Sequence, residues 1–174
     1  MGYPYKTILC PVDFDDNSMA ALAHARRLAI DMGATIHLLH VLPILPMFAD
    51  HGTPYDIDGE TAEKKATGRL REIVRNRLPR VPAEIHTRIA FVSEVPKNIL
   101  ASARELDADL IVMATHGGGA LHHLFFGSVT EAVVRNSVCP VLTLRFTAET
   151  KSRDRTVRLA KPAGAARKIR GAQG

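Results

Sequence analysis

The chain of 174 residues has no tryptophan and only two cysteines, Cys10 and Cys139. Neither belongs to a C-x-x-C pair, which excludes the common zinc-finger and thioredoxin-like patterns, and each lies in an apolar stretch typical of a small buried side chain. No apolar run reaches the roughly 18 residues of a membrane-spanning helix. The first residues lack the charged, apolar and small-residue order of a secretion signal. We therefore expect a cytoplasmic protein that has no membrane partner.

The net charge of +5 is concentrated at one end of the chain. Nine basic and two acidic residues follow from Arg145 onward, whereas the preceding residues contain fourteen basic and sixteen acidic side chains. Residues 147–174 have few large aliphatic side chains, too few to offset the entropic cost of ordering them. The sequence predicts one domain over residues 1–146 and a basic, disordered tail over residues 147–174.

Short apolar runs alternate with amphipathic segments along the domain. Strands are predicted at residues 6–13, 34–42, 83–92, 107–115 and 139–146, helices at 17–33, 60–78, 95–106 and 128–136, and a long loop at 42–60. Asn17 or Ser18 is suited to cap the first helix, and Gly33 is suited to end it. This alternation predicts an α/β fold in which helices cover both faces of a five-stranded parallel sheet, doubly wound.

The expected strand order 3-2-1-4-5 locates a ligand cleft. In doubly wound sheets, ligands bind beyond the carboxyl ends of the strands where the winding reverses, here strands one and four. Those ends read "PVDF" and "MATHGG". In the same order, strand four separates Cys10 from Cys139, which argues against a disulfide.

The segment "MATHGGGALHHLFFGSVTEAVV" combines two glycine sites with the start of a helix. Gly117, Gly118 and Gly119 allow backbone N–H groups to approach a ligand closely, and Gly127-Ser128 opens a helix whose positive end suits phosphate. A structural interpretation also fits, because the glycines can form a tight turn and Ser128 with Glu131 matches a capping box. No lysine follows the glycines, so this is not a Walker loop.

The whole pattern resembles the universal stress protein family over residues 4–146. Nucleotide-binding members carry G-x-x-G, nine residues, then G-[ST]; here Ala114-Thr115-His116-Gly117 is followed by nine residues and Gly127-Ser128. "PVDFDDNSMAAL" is similar to the end of the family's first strand, and "GSVTEAVVRNSVCPVL" to its closing stretch. The chain departs at Ala114, where the motif has glycine. Members without the motif do not bind ATP.

The resemblance implies an ATP pocket between strands one and four, with Mg²⁺ or Mn²⁺ carried by the phosphates. It implies that Asp13 hydrogen-bonds the ribose and that Val41 contacts the adenine. Pro11 and Val12 would form the floor of the pocket, and Met113 would line it near the base and the sugar. The phosphate contacts it implies are Gly117, Gly127, Ser128 and Val129, with Thr130 able to join them. It also implies a homodimer formed through the fifth strand.

Several alternatives stay open at this point. Asp13 can cap the first helix instead, although Asp15 and Asp16 are better placed to do so, and His116 can contact phosphate or lie in solvent. His122 and His123 point apart on any regular element, so a metal site there is not expected. The leading hypothesis is an ATP-dependent stress-response regulator that is at most a slow ATPase. The alternatives are a nucleotide-free member acting through protein partners, a weak ATPase or phosphotransferase, and a nucleic-acid binder acting through the tail.

Overall fold

The computed structural model describes residues 5–44, 59–115 and 127–146. Five strands and four helices alternate through these residues. In chain order they are β1 (Thr7–Pro11), α1 (Asp16–Met32), β2 (Thr35–Ile44), α2 (Gly59–Arg77), β3 (Ala83–Phe91), α3 (Val95–Glu105), β4 (Leu110–Ala114), α4 (Ser128–Asn136) and β5 (Val141–Leu144), with a 3-10 turn at Val92–Glu94.

The predicted topology is confirmed. The strands form one parallel sheet in the order β3-β2-β1-β4-β5. The chain leaves β1 toward β2 on one side, and β4 lies on the other side of β1, so the winding reverses between β1 and β4. The carboxyl ends of these two strands therefore diverge into a crevice, as expected for this sheet order.

The two faces of the sheet carry separate cores because alternate side chains of a strand point to opposite faces. Even-numbered residues of β1, such as Ile8 and Cys10, pack with α1 and α2, whereas Leu9 packs with α3 and α4. Cys10 and Cys139 belong to different cores and are both free thiols. Burial raises the pKa of Cys10 to about 12, so this thiol stays protonated at neutral pH.

The cap of α1 is neither Asn17 nor Ser18 but one of the two acidic residues that the sequence placed better for this role than Asp13. The N-cap is Asp15, whose carboxylate accepts a hydrogen bond of 2.6 Å from the Ser18 backbone N–H. A carboxylate at this position satisfies an unpaired N–H group and is worth about 1 kcal/mol. The helix ends at Gly33 as predicted, with a φ of 63° that a β-carbon would strain.

Several strands are shorter than their apolar runs. β4 begins at Leu110, and the carboxylate of the preceding Asp109 accepts hydrogen bonds from the backbone N–H groups of Lys6 and Thr7. β2 instead extends to Ile44, into the predicted loop, and the remainder of that loop lies outside the described residues. The predicted tail, residues 147–174, also lies outside them.

In the described parts of the chain, no helix combines the length and the hydropathy needed to cross a bilayer.

Candidate functional site

A cleft of about 250 Å³ opens between the carboxyl ends of β1 and β4. It contains every described residue that the sequence selected for the site: Pro11, Val12, Asp13, Val41, Met113, Ala114, Gly127, Ser128, Val129 and Thr130. The other two selected residues, His116 and Gly117, lie outside the described residues. Residues distant in sequence thus meet at the point where the winding reverses.

The polar wall of the cleft is the first turn of α4. Gly127 is its N-cap in an extended conformation (φ −69°, ψ 154°), and its N–H donates to the Thr115 carbonyl over 2.7 Å. The first hydrogen bond of the helix runs from the Glu131 N–H to the Gly127 carbonyl, 2.9 Å away. Helix geometry therefore leaves the N–H groups of the three intervening residues without an intrahelical acceptor. Together with the helix dipole they form a positive pole suited to an anion.

The capping-box interpretation of Ser128 is wrong. Ser128 is the first helical residue and not the cap; the N-cap is Gly127, which has no side chain that could cap the helix. The Glu131 carboxylate, which a capping box would direct back to the helix start, pairs instead with Arg135 one turn later at 2.9 Å. The Ser128 hydroxyl is therefore not committed to capping, and Ser128 lines the cleft.

Thr130 differs from the other residues of this turn. Its side chain is buried, with the residue 3% exposed, and its hydroxyl donates to the Ala114 carbonyl over 3.0 Å. A hydroxyl has one proton to donate, so in this geometry it cannot also donate to a phosphate oxygen. The expectation that Thr130 joins the phosphate contacts is thus restricted to its backbone N–H. The hydroxyl instead ties α4 to the end of β4.

Asp13, just after β1, adds a carboxylate to the lining of the cleft. Its Oδ1 accepts a hydrogen bond of 3.1 Å from the Asp15 backbone N–H, which fixes the turn after β1. Asp15, not Asp13, caps α1. Burial raises the pKa of Asp15, and the nearby Asp13 charge adds to that shift. Asp13 is thus not needed to cap the helix, and its residue lines the cleft.

The floor of the cleft is apolar, and part of it was missed by the sequence analysis. Leu39 and Val41 of β2 and Met113 of β4 are all buried there. Val95 and Ile99 of α3 also line it, as does Ser18 of α1. A signal for Leu39 existed in the alternation of β2, since it lies two residues before Val41 and shares its face. In the sequence, Val95 and Ile99 are marked only by their i, i+4 spacing. Every helix that packs against a core shows this spacing, so it does not indicate a ligand site.

A stack of three side chains supports the loop that carries Asp13. The His40 imidazole donates from Nδ1 to the Val12 carbonyl over 2.7 Å, and the Phe14 ring centroid lies 4.1 Å from that of the imidazole. The Arg69 guanidinium lies over the Phe14 ring, 4.3 Å from its centroid. Burial lowers the pKa of His40. Phe14 itself has a φ of 67°, an unfavourable conformation for a residue with a β-carbon, so these contacts stabilise a strained turn.

The comparisons with known proteins agree with this geometry. The model of the universal stress protein family matches residues 4–145. The chain belongs to this family. Universal stress protein MJ0531 of Methanocaldococcus jannaschii is 32% identical over 146 residues, which cover 81% of this chain and 82% of the relative.

Solved structures of universal stress proteins share the fold. The protein UspA from Lactobacillus plantarum superposes with a TM-score of 0.65 at 26% identity, covering 81% of this chain and 98% of that one. A universal stress protein from Archaeoglobus fulgidus, solved in complex with dAMP, superposes with a TM-score of 0.52 at 24% identity, covering 80% of this chain and 97% of that one. Nucleotide binding therefore occurs in a structural neighbour of the same family.

Proposed function

We propose that this protein is an ATP-binding regulator of the universal stress protein family, with the nucleotide held in the cleft between β1 and β4. One observation carries the proposal. The free N–H groups at the start of α4, the Asp13 carboxylate and an apolar floor all face one cleft. A nucleotide needs these three environments in the same order, for phosphate, ribose hydroxyl and base.

The proposed ligand orientation follows from these environments. The base lies on the apolar floor between Val41 and Met113, with Pro11 and Val12 beneath it. The ribose hydroxyls donate to Asp13. The phosphates accept hydrogen bonds from the first-turn N–H groups of α4, and Gly117 adds a contact from the segment outside the described residues. The dAMP complex of the A. fulgidus neighbour supports a nucleotide ligand.

Ala114 is where the chain departs from the family motif. It is the last residue of β4, it lines the cleft, and its carbonyl accepts the Thr130 hydroxyl. Its methyl group narrows the approach to the sugar and phosphates, in the proposed orientation, compared with a glycine. We therefore expect ATP to bind, but less tightly than it binds to the Ala114→Gly variant.

A regulatory role is favoured over catalysis by the charges around the cleft. The described lining residues include no lysine or arginine, and residues 45–58 and 116–126 contain none in their sequence. Phosphoryl transfer depends on cations that stabilise the developing negative charge. Mg²⁺ or Mn²⁺ carried by the phosphates would supply such charge, but this chain adds no fixed cation to it from these residues. Hydrolysis, if measured, should therefore be slow.

A homodimer through β5 belongs to the same proposal. β5 is an edge strand of the sheet, with unpaired backbone groups along its outer side. Leu142 in this strand and Val138 just before it are 37% and 57% exposed, and Val134 of α4 is 45% exposed. A second copy pairing along β5 would cover these apolar side chains.

Light scattering of the wild type and of Leu142→Lys tests the dimer. The wild type should be dimeric and Leu142→Lys should not, and a monomeric wild type contradicts the proposal.

Nucleotide content and affinity test the main proposal. Protein purified without added nucleotide should release ATP or ADP on heating, and calorimetry of stripped protein should give a stoichiometry near one per chain. Asp13→Asn keeps the side-chain shape and removes the charge that accepts the ribose hydroxyls, so affinity should fall about tenfold. Asp31→Asn, at an exposed position of α1, is the matched control and should leave affinity unchanged. Stripped wild type with no measurable affinity for ATP, ADP or AMP would overturn the proposal.

The basic tail and the cytoplasmic location stay predictions from the sequence. Nucleic-acid binding, if it occurs, is proposed only for the tail. Truncation after Phe146 should abolish any salt-dependent DNA binding of the full chain, whereas the same DNA affinity after truncation excludes the tail as its source. Cell fractionation tests the location.

A further inference from the structure

A second cluster of chemically active side chains lies between β2 and β3, apart from the cleft. His37 of β2 is paired in register with Glu84 of β3, and His86 follows two residues along β3. Side chains two residues apart on a strand share a face, so all three project from the same side of the sheet. One ligand atom from each residue lies within 4.8 Å of the others.

The distances in this cluster fit a metal ion. His37 Nδ1 lies 3.1 Å from His86 Nε2 and 3.6 Å from Glu84 Oε2. Zinc bonds of about 2.0–2.2 Å in a tetrahedral arrangement separate neighbouring ligand atoms by about 3.3–3.5 Å. One ion can therefore bond all three atoms if it replaces the hydrogen bond between the two imidazoles and the Glu84 side chain moves toward His86. Such a movement is open to a Glu84 side chain that is 63% exposed.

The charges beside the cluster are compatible with a bound cation. The Glu84 carboxylate supplies a negative charge within the cluster. The guanidinium of Arg88, two residues after His86 on β3, is paired with the Glu105 carboxylate of α3.

The burial of the three residues supports a built site with one open side. His37 is 9% exposed, so its ring is held by the surrounding sheet. His86 is partly buried and Glu84 is exposed. A stacked arrangement of the two imidazoles, with an angle of 24° between their planes, fixes their relative orientation. Solvent can therefore deliver an ion and supply a fourth ligand.

We propose that His37, Glu84 and His86 bind a divalent transition-metal ion, with Zn²⁺ as the expected ion. Two imidazoles and one carboxylate form a donor set that zinc accepts with a fourth position left for water. Mg²⁺ and Ca²⁺ prefer an all-oxygen set, which this cluster does not offer. The bound ion would connect β2 to β3 and stabilise the fold.

This site is independent of the proposed nucleotide cleft. Leu39, the cleft-lining residue of β2 that is nearest in sequence, lies two residues after His37, which corresponds to about 7 Å along a strand. Val41 lines the cleft, whereas none of the three cluster residues does. A metal bound through the phosphates of ATP would therefore be a separate ion. The two can be distinguished by measuring zinc in the absence of nucleotide.

A zinc titration of the nucleotide-free, metal-stripped full chain tests the proposal. Wild type should bind one Zn²⁺ per chain at micromolar concentration and should unfold at a higher temperature when zinc is present. Glu84→Gln alters an exposed side chain and should weaken the affinity for zinc at least tenfold. His86→Gln should lose both zinc binding and the zinc-dependent rise in unfolding temperature. Co²⁺ in place of zinc should give visible absorption of four-coordinate intensity in wild type and not in His86→Gln.

The controls use histidines outside the cluster. His24→Gln, at an exposed position of α1, should bind zinc as wild type does. The double variant His122→Gln/His123→Gln should do the same, since neither residue is one of the three proposed ligands. Wild type without micromolar zinc binding overturns the proposal. So does loss of zinc in the double variant with unchanged binding in Glu84→Gln and His86→Gln.

Discussion

The two candidate sites of this protein are built in opposite ways. The cleft between β1 and β4 presents mainly backbone N–H groups and apolar side chains, with Asp13 as its one acidic side chain among the described lining residues. The cluster between β2 and β3 presents three ligating side chains and depends on the register that brings His37 opposite Glu84. The first arises where several strand ends and helices meet at the reversal of the winding; the second arises from the register of one pair of strands. Substitutions should therefore affect the sites separately.

Gly127→Val is expected to have the largest effect on the cleft. The φ of −69° at Gly127 is open to valine, so the backbone can keep its conformation. The added side chain would lie at the start of α4, where the phosphates are proposed to bind. The affinity for ATP should therefore fall by about 100-fold, equivalent to about 2.8 kcal/mol. Calorimetry measures the affinity. Zinc binding by the His37 cluster should not change.

The matched control for this substitution is Gly68→Val. Gly68 lies on α2, where an added β-carbon meets nothing within 4 Å. This variant should bind ATP as wild type does. If both valine variants lose ATP equally, the loss comes from general destabilisation and not from the cleft.

Thr130→Val separates the structural role of this residue from ligand binding. The substitution removes the hydroxyl that donates to the Ala114 carbonyl and keeps the side-chain shape. The free energy of unfolding should fall by about 1–2 kcal/mol, because the hydrogen bond of a buried hydroxyl is lost. Urea denaturation measures this loss, and ATP affinity should change less than threefold. A large loss of affinity at unchanged stability would instead make the hydroxyl a ligand contact.

Thr87→Val is the control for that comparison. The Thr87 hydroxyl donates to the Glu63 carboxylate over 2.8 Å, in a pair between β3 and α2 that solvent can reach. Water can replace the lost donor there, so the stability loss should be smaller than for Thr130→Val.

These contrasts explain how much of the molecule could be predicted from its sequence. The strand order, the α4 boundaries and the Gly33 cap were predicted correctly, because each depends on alternation or on a residue type with a strong local preference. The residues of the cleft were brought together from the family motif and the sheet order. Their proposed roles toward a nucleotide stay predictions.

What the sequence did not indicate depends on contacts between distant residues. The Thr130 hydroxyl could be assigned only after β4 and α4 were seen side by side, because its partner lies sixteen residues away in the chain. The His37 cluster required the β2–β3 register, and a shift of one residue would send His37 to the opposite face from Glu84 and His86. Histidine pairs adjacent in sequence, such as His122 and His123, attract attention first. The pair that meets in space is 49 residues apart.

Ala114→Gly should strengthen ATP binding in the cleft and leave the zinc cluster unchanged. Removing the methyl group restores the family motif and widens the approach to the ribose and phosphates. ATP affinity should rise a few-fold, while zinc affinity should be unchanged. Glycine is more costly in a strand than alanine, by about 0.5–1 kcal/mol, so a small loss of stability is expected as well. An unchanged or weaker ATP affinity would mean that the methyl group does not limit binding.

The smallest expected effect is a pH dependence shared by both regions. Burial lowers the pKa values of His40, beside the cleft, and His86, in the cluster, below their ordinary value of 6.5. The unfolded chain therefore binds more protons than the folded one below about pH 6.5, and stability should fall as pH drops through that range. In the His40→Asn variant the asparagine amide can still donate to the Val12 carbonyl but does not titrate. The free energy of unfolding of this variant should therefore fall less steeply than that of the wild type between pH 7 and pH 5. Urea denaturation at several pH values measures both slopes, and equal slopes would exclude His40 as a source. Saturating zinc should make the stability of the wild type fall more steeply as pH drops. This effect comes from His86, because protons must displace the bound ion from that imidazole.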